Sequence, residues 1–166
     1  MRKLLAFTGL LAVVLLALMA SPVSAGSPAL TVATGSYTLR GGHGANRTQS
    51  FTVQQASDGT VSGQVALNTF GGAIIHGDVT CFTREGNQAI VGGTFTKFST
   101  DPTEVGAPFA FAIQDEPDLS TFVYFGLDPS MSPCDQLVAF AGESDLGSLL
   151  NDQGVPITTG NILIHP

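Results

Sequence analysis

Beyond residue 30 the chain alternates apolar and polar positions in short runs, each cut by Gly, Pro, Asn or Asp, and no run keeps a 3.6-residue period for three turns. The runs predict strands over Leu30 to Arg40, Arg47 to Ala56 (with Phe51 and Val53 on one face), Thr60 to Phe70 (with Val61, Val65 and Leu67 on one face), Ala73 to Arg84 and Ala89 to Phe98. Asp58-Gly59 predicts a hairpin closed by a type I′ turn, whose two central residues both need positive φ. Glu85-Gly86-Asn87 predicts a second hairpin, which sets Cys81 and Phe82 beside Val91, Gly92 and Gly93. After Asp101-Pro102, Phe109, Phe111 and Ile113 face one way and Ala110 and Ala112 the other, so this strand has an aromatic face and a face open to close approach. Thr121 to Leu127 is apolar on both faces and reads as a strand that needs a cover. Leu146, Leu149 and Leu150, within Ala139 to Gly154, predict a short helix as that cover, and Gly160 to His165 predicts a last short strand.

The expected fold class is therefore all-β: a single antiparallel β-barrel or β-sandwich of about eight strands, with one short helix or irregular cover segment near 143–152. Gly63, Gly77, Gly92 and Gly93 fall inside strand patterns and mark bulges or tight curvature. An eight-stranded barrel has an interior that side chains just fill or that holds one small ligand.

The N-terminal segment has a different pattern. Arg2 and Lys3 precede an uncharged apolar run from Leu4 to Ala20, Ser21-Pro22 breaks it, and Val23-Ser24-Ala25 offers small residues for cleavage. This is the layout of a secretory signal peptide, so residues 1–25 are expected to be removed and 26–166 to form one secreted, extracellular β-domain with no remaining membrane span. The 166 residues suit one such domain.

Charge sharpens this picture. The formal net charge is -7 and the pI about 4.5, which argues against nucleic acid as a partner. Charge is also uneven: from Phe98 onward there are ten acidic residues and no Lys or Arg. Most read as solvated loops that keep the protein soluble. Only Asp115, Glu116 and Asp118 cluster, and they form the candidate for a weak calcium site; three carboxylates on one turn supply too few oxygens for a closed calcium shell.

Several segments carry a resemblance: Gly41-Gly-His43-Gly, Arg47-Thr-Gln-Ser-Phe51, Asp58-Gly-Thr-Val-Ser-Gly-Gln64, His76-Gly-Asp-Val-Thr-Cys81, Gly86-Asn-Gln-Ala and the closing Gly160-Asn-Ile-Leu-Ile-His165. Together they resemble a family of small exported actinobacterial proteins with no assigned activity. The resemblance implies an exported β-rich domain and supplies no catalytic or binding residue. Phe82 and Thr83-Arg84 stand where that family more often has aliphatic residues.

The two cysteines, Cys81 in a strand and Cys134 in the segment Ser130 to Asp135, are expected to form a disulfide in an oxidising compartment. The catalytic constellations are missing. His43, His76 and His165 lie in separate segments, and Gly142-Glu-Ser144-Asp-Leu146-Gly147 misses the nucleophile-elbow spacing by one residue. Gly41-Gly-His43-Gly lacks the Lys-Ser/Thr of a phosphate loop. Asn46-Arg47-Thr48 is formally a glycosylation sequon, expected to go unused if the protein is bacterial, as the resemblance implies. No cofactor is expected. Two function classes remain: a non-enzymatic exported β-domain with a binding or structural role, its partner an extracellular ligand, surface polymer or protein, or a small-barrel enzyme or small-molecule carrier with an internal cavity.

Overall fold

The computed structural model describes residues 30–40, 46–69, 71–121, 123, 124, 126–140 and 146–165. Residues 1–25, expected to be a signal peptide, His43 with its glycines, and Glu143 to Asp145 lie outside the described residues.

Eight antiparallel strands follow one another in chain order and close into a barrel: β1 (Leu30–Arg40), β2 (Asn46–Gln55), β3 (Val61–Asn68), β4 (Ile74–Glu85), β5 (Gln88–Phe98), β6 (Pro108–Gln114), β7 (Leu119–Ser120) and β8 (Val155–Ile164), which returns to β1. Two helices, α1 (Pro133–Phe140) and α2 (Leu146–Gln153), stand between β7 and β8. The period-two pattern explains the walls. In β2, Arg47, Gln49, Phe51 and Val53 are buried while Asn46, Thr48, Ser50 and Thr52 are exposed.

β6 is buried on both faces. Its Phe109, Phe111 and Ile113 join the interior core, and its Ala110 and Ala112 lie under α1 and α2 with Ile90, Leu137, Leu146, Leu149 and Leu150. The small alanine side chains let the helices sit close on the sheet. The Cys81–Cys134 disulfide ties α1 to β4, with Cα atoms 6.1 Å apart. Gly92 makes room for it, since a Cβ there would lie 2.6 Å from Cys81 Sγ.

Four local expectations are corrected. The β2–β3 connection is not a type I′ turn: Gly59 is left-handed (φ 86°) but Asp58 is not. Asp58 instead accepts the Thr60 N–H through its carboxylate at 2.9 Å, which holds its pKa below the usual carboxylate range. Gly59 N–H bonds Ala56 C=O, giving a three-residue loop of Ser57-Asp58-Gly59.

The strand expected over Thr121 to Leu127 is displaced to Leu119–Ser120. Beyond it, the Thr121 hydroxyl takes the Ala112 N–H at 2.9 Å, in the place where a regular ladder would present a carbonyl, and among the described residues an isolated bridge from Tyr124 to Ala110 resumes the pairing. The strand that needs the cover is thus β6. A second helix, α1, occupies residues read as a loop; Pro133 opens it, as suits a residue with fixed φ and no N–H. Finally, β8 begins at Val155 rather than Gly160. Gly160 is left-handed within it (φ 94°) and pairs in register with Tyr37, so the residue that looked like a boundary lies inside the strand; the register against β1 shifts between Thr159 and Ile157.

Candidate functional site

The barrel interior changes character from one side to the other. Along β5 and β6 a chain of aromatic rings runs from Phe98 through Phe95, Phe109 and Phe111 to Phe51, with successive centroids 4.9 to 6.4 Å apart. It ends on Tyr37, 6.2 Å from Phe51 and edge-on to it. Beyond Tyr37 the interior takes in polar side chains among its apolar ones.

Alternation along β2 points Arg47 and Gln49 to the inside, below Phe51 and Val53. The register sets Leu39 opposite Arg47, and both Tyr37 and Leu67 opposite Gln49, so these five inward side chains are cross-strand neighbours on β1, β2 and β3. β7 contributes Ser120 and the next residue is Thr121, both fully buried. Ser120 donates its hydroxyl to the Thr121 carbonyl at 3.1 Å. Its single proton is thereby used, so the 2.8 Å contact between Tyr37 Oη and Ser120 Oγ is donated by the tyrosine. Burial pushes the Tyr37 hydroxyl well above its ordinary value, against smaller downward effects of the Ser120 bond and the Arg47 charge. At neutral pH Tyr37 is a fixed, protonated donor.

The Gln49 amide and two of the three Arg47 guanidinium nitrogens are left without partners. Arg47 is 6% exposed and Gln49 2%. Arg47 Nε and Nη2, and both Gln49 Oε1 and Nε2, are buried with no hydrogen bond. Burial lowers the guanidinium pKa, with the Tyr37 hydroxyl opposing it weakly. The buried polar residues among those described are Arg47, Gln49, Gln114, Ser120 and Thr121, so none of them is a carboxylate that would balance the charge. A buried, unpaired polar atom costs roughly 1–3 kcal/mol, and a charged one more. The corner is therefore destabilised by groups that nothing in the described chain satisfies.

A hollow of about 690 Å³ lies on the outer wall, between Ser36, Ser50, Gln64, His76, Asp78 and Lys97. These side chains face outward on their strands, where water satisfies them. The interior corner is the more demanding of the two places.

The residues singled out in the sequence lie elsewhere. His76 is exposed on β4, and His165 follows β8 at the surface. Asp115 and Asp118 are half-buried at the β6–β7 turn and turn their carboxylates to the backbone: Asp115 Oδ2 accepts the Ile164 N–H at 3.1 Å, and Asp118 Oδ2 the Ile162 N–H at 3.3 Å. Glu116 is exposed. Among the described residues no group of three or more His, Cys, Asp or Glu side chains is placed to hold a metal ion. Arg47 and Gln49 did not stand out in the sequence. The signal was present, because extending the Phe51–Val53 alternation two steps back puts both on the core face.

No family model, curated protein or solved structure matches the chain.

Proposed function

We propose that this protein is an exported, non-enzymatic binding domain that takes a small molecule into the polar corner of its barrel, against Tyr37, Arg47 and Gln49. One observation carries the reading: two adjacent inward side chains of β2 are buried with four polar atoms unpaired. Native proteins satisfy the great majority of buried polar groups, and exceptions call for a specific reason. A ligand that brings the missing partners is such a reason. The other groups in the corner suit binding better than chemistry, since Tyr37 is held protonated and donates to Ser120. Export is supported by the charged, apolar and small-residue layout of residues 1–25, and a disulfide is in keeping with it.

The chain has two tyrosines and no tryptophan, so Tyr37 can be followed by intrinsic fluorescence once Tyr124 is changed to Phe. Titration of this variant with 4-methylpentanoate and with 4-methylpentanol is expected to change Tyr37 emission saturably with at least one of them. Emission that stays flat with both would sink the proposal.

A further inference from the structure

We infer that the interior corner selects an organic carboxylate, held side-on by the Nε and Nη2 of Arg47, with the Gln49 amide on a neutral polar group beside it and the apolar body against Leu39 and Leu67. This rests on the binding reading above and names the ligand class for the same site.

Three observations converge on it. The first is which atoms are unpaired. Nε and Nη2 are the two guanidinium nitrogens whose N–H bonds run parallel along one edge, and these are the buried Arg47 atoms without a partner. Two parallel donors match the two oxygens of a carboxylate, which is why arginine and carboxylate pair bidentately. A hydroxyl or a carbonyl engages only one of them.

The second is charge. The buried polar residues around Arg47 are neutral, and it is 6% exposed, so neither protein carboxylate nor bulk water screens it fully. A ligand with one negative charge balances the corner, while a neutral ligand leaves the cation as costly as before. One guanidinium also favours a monoanion over a dianion, whose second charge would be buried in turn.

The third is Gln49. It lies two residues from Arg47 on the same inward face, and both its donor and its acceptor are free. A primary amide with both functions open pairs reciprocally with another amide, or with a hydroxyl. Leu39 opposite Arg47 and Leu67 opposite Gln49 supply apolar wall.

The test uses three matched probes on the full folded domain, followed by calorimetry and by Tyr37 emission: 4-methylpentanoate, its neutral amide 4-methylpentanamide, and N-acetyl-leucine, which carries the same apolar body with a carboxylate and an amide. The expected order of affinity is N-acetyl-leucine, then 4-methylpentanoate, then 4-methylpentanamide, with at least a tenfold gap between carboxylate and amide. Arg47→Gln should close that gap by weakening the carboxylates, and Gln49→Leu should remove the advantage of N-acetyl-leucine alone. Both variants are checked for an unchanged circular dichroism spectrum, and Arg47→Lys provides a second variant that keeps the charge but loses the fork. Equal binding of 4-methylpentanamide and 4-methylpentanoate would overturn the carboxylate class and leave the binding reading standing. An identical response to sodium chloride at matched ionic strength would overturn it as well, by making the corner an inorganic anion site. No response to any probe would overturn both readings.

Discussion

Two glutamines are buried in this barrel, and they are used in opposite ways. Gln114, at the end of β6, accepts from Gln88 Nε2 at 2.7 Å and donates to the Pro117 carbonyl at 3.1 Å. Its amide is satisfied at both ends, and it fixes the turn that leads into β7. Gln49, in the middle of β2, has neither end satisfied, and the cation two residues away shares its condition. Both are buried strand residues, Gln49 on the inward face of β2 and Gln114 two steps on from Ala112, on the parity of β6 that the helices cover, yet only Gln114 has its amide paired. A fold that tolerates unpaired groups in one corner while pairing the same side chain in another has a reason local to that corner.

Removing the unpaired cation tests this contrast most severely. Arg47→Met replaces a buried charge with an apolar chain; replacing even a paired buried charge and its partner in this way is neutral or stabilising by about 1–4 kcal/mol, and an unpaired one has no Coulomb attraction to lose. We expect the urea midpoint of the ligand-free protein to rise with an unchanged slope. A lower midpoint would mean that Arg47 holds the fold together and that its unpaired atoms are no mark of a site. The mirror experiment is Gln114→Leu. It strands the Pro117 carbonyl and the Gln88 amide, so the midpoint should fall by an amount corresponding to about 1–3 kcal/mol. If both variants moved the same way, the contrast between the two corners would be lost.

Alkaline pH probes the same corner more gently. Burial raises the Tyr37 pKa above its ordinary 10.0. The folded state then keeps a proton that the unfolded chain releases, so stability is intact below pH 10 and declines as pH rises further. The decline approaches about 1.4 kcal/mol per pH unit for one proton. Tyr124 is also raised, by partial burial, so the measurement belongs in a Tyr124→Phe background, where adding Tyr37→Phe should flatten the remaining slope.

Much of the architecture was legible because it rests on local rules. The limits of β1 follow from its alternation, and the β4–β5 hairpin from Gly86, which is left-handed at the first central position of a two-residue loop. The two faces of β6 follow from Phe-Ala-Phe-Ala-Ile. What failed depended on partners distant in sequence. α1 buries only Cys134 and Leu137, too narrow a stripe to read as a helix without the disulfide that pins it. The short β7 follows from a threonine hydroxyl standing in for a carbonyl, which no period reveals. The candidate site was half legible: alternation places Arg47 inward, but that it has no partner there is a property of the assembled barrel. The acidic turn was legible only as a cluster, because clustered carboxylates look alike whether they face solvent, a cation or a backbone.

The mildest change is expected at that turn. β7 and β8 pair through only two rungs, Leu119 with Pro156 and Ser120 with Val155, and Pro156 has no N–H to donate. The rest of β8 facing this seam is held by substitutes. The Asp118 carbonyl accepts from Ile157 at 3.3 Å, its carboxylate from Ile162, and the Asp115 carboxylate from Ile164. Side chains thus complete the ladder that a two-residue strand cannot. Asp118→Ala removes one of these acceptors at a half-buried place, which should lower stability by about 1 kcal/mol and speed hydrogen exchange at the Ile162 amide, leaving the amides bonded to β1 unchanged. The same geometry bears on calcium. An ion on this turn would compete with β8 for both carboxylates, whose Oδ2 atoms already accept its N–H groups, at a site with few other oxygens. Melting temperatures in calcium and in sodium at matched ionic strength should therefore coincide. A calcium-specific rise that Asp118→Asn abolishes would show the turn to be a cation site, and the Ile162 and Ile164 amides of β8 would then need acceptors other than these two carboxylates.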